Sequence, residues 1–434
     1  MTNISYIRTE MLPQQTPPLG ERGAIKWLRE NLFSGPVNTV LTLAAFYLIY
    51  RIIAAILPWL LNGVWDANSL SECRQIIAAS AGEGAGGACW AVIRERWHQW
   101  LFGFYPQDQY WRPTLAFVLL FVAIAPVLFD KLPRQMLYFT LIYPALCFWL
   151  LWGGSVWMPV VAMLGFVVLG LVYRLTQPLI GISPAAGAGV VAAVLWWLFL
   201  DATIVNALTG IADISLTAVR STDFGGFLLA ITIGVTAISF SLPIGILLAL
   251  GRQSDMPIVK YLSVGFIEFI RGVPLITLLF TASLLLQYFL PPNTSFDIIL
   301  RVIILVTLFA AAYLAEVIRG GLAALPRGQY EAADALGLDY WRAQRLIILP
   351  QALKISIPSI VSTFIGLFKD TTLVSFVGLL DPLRGVTNVV RADINWKGIY
   401  WEPYIYVGAI FFVICFSMSR YSMYLEQKLK TDHR

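Results

Sequence analysis

Charge is what this sequence has least of. Asp, Glu, Lys and Arg supply 13% of its 434 residues, against about 25% in a soluble domain, so a soluble globular chain is excluded. Histidine occurs only at His98 and His433, and cysteine only at four scattered positions, which leaves no cluster spaced to hold a metal. No G-x-x-x-x-G-K-[ST] loop is present, so the chain has nothing with which to cradle ATP phosphates itself. The basic residues stand singly at segment ends rather than in patches, which argues against nucleic acid as a partner despite a net charge of +5. A cleavable leader is also absent from the expectation. Residues 1–31 are polar, and the first apolar run, near Val40, has no small-residue cleavage site after it.

What fills the space is apolar sequence, 58% of the residues with a mean hydropathy of +0.74. A helix needs about 17–25 apolar residues to cross a hydrocarbon core. Ten runs approach that length: 40–61, 114–130, 136–152, 157–173, 187–204, 224–250, 262–289, 298–318, 352–370 and 403–424. The expectation is an all-α, polytopic transmembrane bundle of about ten spans. Short-loop Lys and Arg set orientation. The basic tail 1–39 puts the N-terminus inside, and alternation then keeps Lys131, Arg134, Arg174, Arg252, Lys260, the block 319–345 and Lys428 inside. Both termini are expected in the cytoplasm, with Gly84 and Asn293 on the far side.

The loop 62–112 carries four arginines yet falls outside, which its length permits. There Cys73 and Cys89 meet an oxidising compartment, and stand either as a disulfide or as two free thiols. A boundary falls near 209–223. The spans of 40–208 are rich in Trp and Phe with almost no ionisable groups, and form an N-terminal extension. Beyond it, within 209–428, Glu268, Arg271, Glu316, Lys369 and Asp370 enter the spans, where ionisable groups are costly and mark function or tight pairing.

The segment 326–350 is the odd one out, charged and amphipathic between two apolar spans. Pro326 turns the chain, and Ala332, Ala335 and Leu336 share one helical face. Gly337 suits a left-handed stop, Asp339 a cap for a second helix in which Trp341 and Ile348 share a face, and Pro350 the return to the membrane. Such a hairpin either lies in the headgroups or docks a partner.

Its residues also carry a resemblance. Glu331-Ala332-Ala333, then Gly337, then Ile348-Leu349-Pro350 resemble the EAA loop of ABC importer permeases. Runs at 271–275, 312–321 and 369–375 are similar to three further motifs of the polar amino-acid subfamily, with Val273 for the usual Thr and Thr372 for the usual Ser. The resemblance covers about 220–428, and the N-terminal extension resembles that of the long glutamate, glutamine, aspartate and asparagine permeases. It implies a type I ABC importer transmembrane domain in the C-terminal half, in the bacterial inner membrane. It further implies a separate ATPase dimer that binds ATP and magnesium itself and docks on the hairpin, a second permease subunit (a homologue rather than a copy), and a periplasmic amino-acid-binding protein. On that reading the chain is no enzyme and holds no cofactor. The alternative is an ion-driven secondary transporter, which should show an internal repeat with matched broken helices.

Candidates for the path lie inside the spans. Thr232, Thr236 and Ser239 sit near one face with Pro243, either lining a polar route or bonding their own backbone. Glu268 with Arg271, and Glu316 with Arg319, are spaced i, i+3 as local ion pairs. Lys369 and Asp370 close the ninth span far from the hairpin, where the lysine either attracts an acidic substrate or anchors at the interface.

Overall fold

The computed structural model describes residues 23–129, 131–289 and 296–429. Most of the tail 1–39, the turn containing Asn293 and the chain end after Leu429 lie outside them. The chain is all-α, and its described residues form two compact units, Met1–Ala91 and Val92–Arg434.

In the first unit, α1 (Gly23–Asn31) leads into α2 (Pro36–Leu61). Thr42 fixes the turn between them by donating its hydroxyl to Leu32 O at 2.7 Å. Pro36 opens α2 where a missing N–H costs nothing. Its 26 residues rise about 39 Å, and none is buried, so lipid is its natural solvent. Beyond it, Ser69 caps α3 (Leu70–Ala81) by accepting from Glu72 N, while Glu72 reaches back to Asn68 N at 2.8 Å. Cys73 on α3 is bonded to Cys89, and both are buried. Trp90 stacks on Trp65 and meets the edge of Trp59, each at 5.7 Å between ring centres. A maleimide should therefore label neither Cys73 nor Cys89 in native membranes until a reductant is added. Labelling of both without reductant would contradict the pairing.

The second unit opens one residue into α4 (Ala91–Phe102), which is followed by the antiparallel pair α5 (Trp111–Leu128) and α6 (Met136–Trp152). Next come α7 (Trp157–Ile180), α8 (Ile182–Leu195) and α9 (Asp201–Ile211). The fourth span was expected to stop at 173. Instead α7 continues through exposed Arg174, whose head can reach water from inside a helix, and ends at Gly181 with φ +83°. A π turn at Trp196–Leu200 joins α8 to α9. Trp196 and Trp197 there donate their indole N–H groups to Val161 O and Ala162 O on α7, at 3.0 and 2.9 Å. A two-residue ribbon pairs β1 (Gly154–Ser155) with β2 (Ser215–Leu216).

The core is built by α10 (Gly226–Gln253), α13 (Ile298–Ala323) and α16 (Leu349–Asp370). Small residues bring these backbones close, as membrane helices require when no hydrophobic effect drives them together. A Cβ at Gly245 on α10 would lie 2.8 Å from Leu314 Cβ, and one at Gly321 on α13 would press on Ala352 O of α16.

The seventh span differs from expectation. Rather than one helix over 262–289, it is α11 (Pro257–Gly272) and α12 (Leu275–Phe289), bent by 100°. Val273 is extended, as a residue before proline prefers, and Pro274 has no N–H to continue the ladder. After α13 come α14 (Arg327–Ala335), α15 (Tyr340–Ala343), α16, α17 (Pro382–Ala392) and α18 (Trp401–Leu429). Among the described residues, eight helices are long and apolar enough to cross a membrane, and the bent pair makes a ninth. The 17-residue α6 is the short tenth candidate. The compositional boundary near 209 is not a contact boundary, since 92–208 belong to the same unit as the core.

Candidate functional site: the hairpin and the charge cluster

Pro326 ends the turn out of α13, and α14 runs until Gly337, at φ +69°, reverses the chain. The side chain of Asp339 accepts Arg342 N at 2.8 Å, capping α15. Local chemistry thus builds the hairpin. Its packing departs from the expected face, because Ala332, Ala335 and Leu336 are exposed while Ala333 is the buried residue of α14. Trp341 and Ile348 do not share an environment either, the first exposed and the second fully buried. A π turn at Gln344–Ile348 lies between them and shifts the helical register.

The same turn leads directly into the helix that holds Pro350. The proline does not separate hairpin from span. It sits in the first turn of α16, directly after the π turn, and helix runs on from Tyr340 to Asp370. The second arm of the hairpin is continuous with the ninth span. Ile348 packs in one buried cluster with Leu314, Ile318, Leu322 and Leu325. Gln351 donates to Gln329 Oε1 at 3.0 Å, tying α16 back to α14. A rigid root therefore carries a tip whose Leu336, Tyr340, Trp341 and Leu346 are all more than half exposed, beside exposed Glu331.

A charge cluster lies above this root. Glu316 on α13 accepts from Arg319 at 3.0 Å, as its i, i+3 spacing suggests. It also stands 2.7 Å from Arg252 Nη1 and 3.7 Å from Arg271 Nη1. Glu268 turns to Arg252, at 2.8 Å, and no ion pair joins it to Arg271 among the described residues. The expected Glu268–Arg271 pair is replaced because α10 extends to Gln253 and brings Arg252 within reach. Arg271 lies over the Tyr313 ring, 5.6 Å from its centre. Three arginines and two carboxylates thus join α10, α11 and α13, with Glu316 their common partner.

The remaining candidates are spread out. Thr232 and Ser239 bond their own helix, at Leu228 O and Val235 O, 2.7 and 2.8 Å away, and Thr236 is half-buried on the same helix. Lys369 is exposed and Asp370 half-buried. Ser356 touches Val317 O, so Lys369, thirteen residues further, lies about 20 Å along α16 from that level. There Thr371, Thr372 and Ser375 satisfy nearby carbonyls, and Gly378 at φ +96° ends the turn. Asp381 caps α17 through Leu383 N and Arg384 N. Burial pushes its carboxyl up to about 6, against the opposing pull of those N–H groups and of Arg384.

Two residues escaped the sequence reading. Arg252 was visible only as a charge beyond a span end. Arg301 interrupts the apolar run of α13 and donates to Ser283 O at 2.8 Å, and a lone arginine in such a run was the available signal.

Residues 241–431 match the family model described as the binding-protein-dependent transport system inner membrane component. The chain is 67% identical, over the full length of both, to the glutamate/glutamine/aspartate/asparagine transport system permease protein of Rhodobacter capsulatus. It is 39% identical to an inner membrane amino-acid ABC transporter permease protein of Escherichia coli K12, over 94% of each chain. A glutamate/aspartate import permease protein of Escherichia coli is 32% identical over 47% of this chain and 91% of its own. A chain from the crystal structure of an amino acid ABC transporter with histidines aligns at 29% identity, covering 46% of this chain and 91% of its own, with a TM-score of 0.41.

Proposed function

Because this chain belongs to the amino-acid permeases of ATP-binding cassette importers, we propose that it carries glutamate, glutamine, aspartate and asparagine inward. The observation that carries this reading is the rigidly rooted hairpin, whose apolar tip is exposed where a partner can grip it. A separate ATPase dimer, binding ATP and magnesium, docks there from the cytoplasm. A periplasmic binding protein delivers substrate at the opposite face, and a second permease completes the pore. Both termini lie in the cytoplasm and the protein sits in the bacterial inner membrane. On this orientation exposed Lys369 offers a cation on the delivery side, suited to an acidic side chain. An ion-driven carrier would show broken helices at matching positions of two repeats, and a single bent pair is found among the described residues.

Reconstituted with its ATPase, second permease and binding protein, the wild-type chain should take up all four labelled amino acids only when ATP is supplied, and arginine far less. In the same assay Lys369→Ala should lose glutamate and aspartate uptake more than that of the two amides. Uptake driven by a sodium or proton gradient without ATP would overturn the proposal, and equal losses for acids and amides would leave Lys369 a structural residue.

A further inference from the structure

A lever moves its load only if its far end is held, and α13 is the helix whose hairpin end leads into the proposed coupling element. Its other end begins at Asp297, which accepts from Ile299 N and Leu300 N at 2.9 and 3.1 Å. Those bonds use one carboxylate oxygen. The second accepts the Ser221 hydroxyl, and Ser221 in turn accepts the indole N–H of Trp152 at 2.8 Å. Trp152 is the last residue of α6, in the N-terminal extension.

The tryptophan is itself held. Its ring stacks on Phe224 at 4.6 Å and its carbonyl accepts Val219 N at 2.9 Å. Arg112 is buried and donates to Leu150 O at 2.6 Å and Thr217 O at 2.9 Å, so one guanidinium binds α6 to the segment that leads into α10. The Tyr105 hydroxyl donates to Leu151 O at 2.9 Å, and burial pushes it up to about 12, so it stays a donor. A permease relative is matched over only 47% of this chain, so about half of this chain is additional to it.

We propose that this added half serves as an anchor, and that Trp152 and Ser221 are positioning residues holding the Asp297 end of α13 while the hairpin end is moved. A relay ending on a carboxylate that already caps the helix fixes both the position and the rotation of its first turn. Losing it frees that end without touching the hairpin, the charge cluster or any substrate-path candidate. ATP hydrolysis then continues while less substrate moves for each ATP consumed.

The inference rests on the coupling role proposed for the hairpin, and its test separates the two. Ser221→Ala removes both hydrogen bonds of the relay. Trp152→Phe keeps the ring on Phe224 and removes only the N–H. In the reconstituted complex, Ser221→Ala should lower amino acids transported per ATP hydrolysed by about tenfold to a hundredfold, the scale of one lost bond to a charged group. Trp152→Phe should lower that ratio less, and Ser221→Thr, which keeps the hydroxyl, should restore it to near the wild-type value. The yield of assembled complex is measured alongside. An unchanged ratio in Ser221→Ala, or a fall in transport, hydrolysis and assembly together, overturns the anchor. If Glu331→Arg and Gly337→Val lose most transport while Ser221→Ala keeps the wild-type ratio of transport to hydrolysis, the anchor alone fails. If the hairpin variants also transport normally, the coupling reading itself has failed.

Discussion

Glu316→Ala should cost the protein more stability than any other single substitution in its charge cluster. Among the described residues the loss leaves Arg271 and Arg319 with no carboxylate, while Arg252 keeps Glu268. Breaking a fully buried ion pair costs about 3–5 kcal/mol. Here the side chains of Arg271 and Arg319 are 34% and 43% exposed, against 15% for Glu316. Solvent screening therefore reduces the expected cost to about 2–3 kcal/mol. The melting temperature of the purified protein should fall by about 2–3 °C at that cost, because the unfolding entropy of so long a chain dilutes each kcal/mol. Adding Arg271→Gln should recover part of the loss, because it removes one of the two stranded charges. Glu268→Ala should cost less, since Arg252 still has Glu316 at 2.7 Å. A melting temperature unchanged by Glu316→Ala would mean that the cluster is solvated and holds nothing together.

Gly337→Val should insert and assemble with the second permease proposed above yet lose most transport. The position has φ +69° and nothing within 4 Å of an added Cβ, so the penalty is one of backbone conformation and not of crowding. A β-branched residue is the worst choice there, at roughly 1 kcal/mol or more. Asparagine tolerates the left-handed region, so Gly337→Asn should keep most activity. This contrast distinguishes a required angle from a mere need for a small residue. Glu331→Arg reverses a charge on the exposed face of α14 and should weaken ATPase docking without altering Gly337. Transport and co-purification of the ATPase, measured on the same membranes, give the answer. Normal transport by Gly337→Val and Glu331→Arg would show that the hairpin only rests on lipid.

The parts of this architecture that were legible in the sequence are those fixed by a few neighbouring residues. Gly337 and Asp339 do in the structure what such residues do in any helix–turn–helix, because a left-handed stop and a cap depend on local backbone alone. Pro350 obeyed the same local rule, standing in the first turn of the span it was expected to precede. Pro274 was the reverse case, a true break inside a run whose apolar length suggested one span. Which face of α14 is buried could not be read, because Ala332, Ala333 and Ala335 are equivalent until a neighbour chooses among them. The charge cluster was half legible. Glu316 and Arg319 share a helix, whereas Arg252 reaches Glu316 only when α10 and α13 pack through Gly245. The anchor at Asp297 joins residues far apart in the chain, and no spacing rule announces it.

The central claim is that force enters this permease through the hairpin tip. A photo-crosslinking amino acid at Leu336, which is 72% exposed, tests it in native membranes holding the whole transporter. The account predicts a crosslink to the ATPase subunit whose yield changes when a non-hydrolysable ATP analogue is added. A crosslink to lipid alone, unaffected by nucleotide, would contradict it.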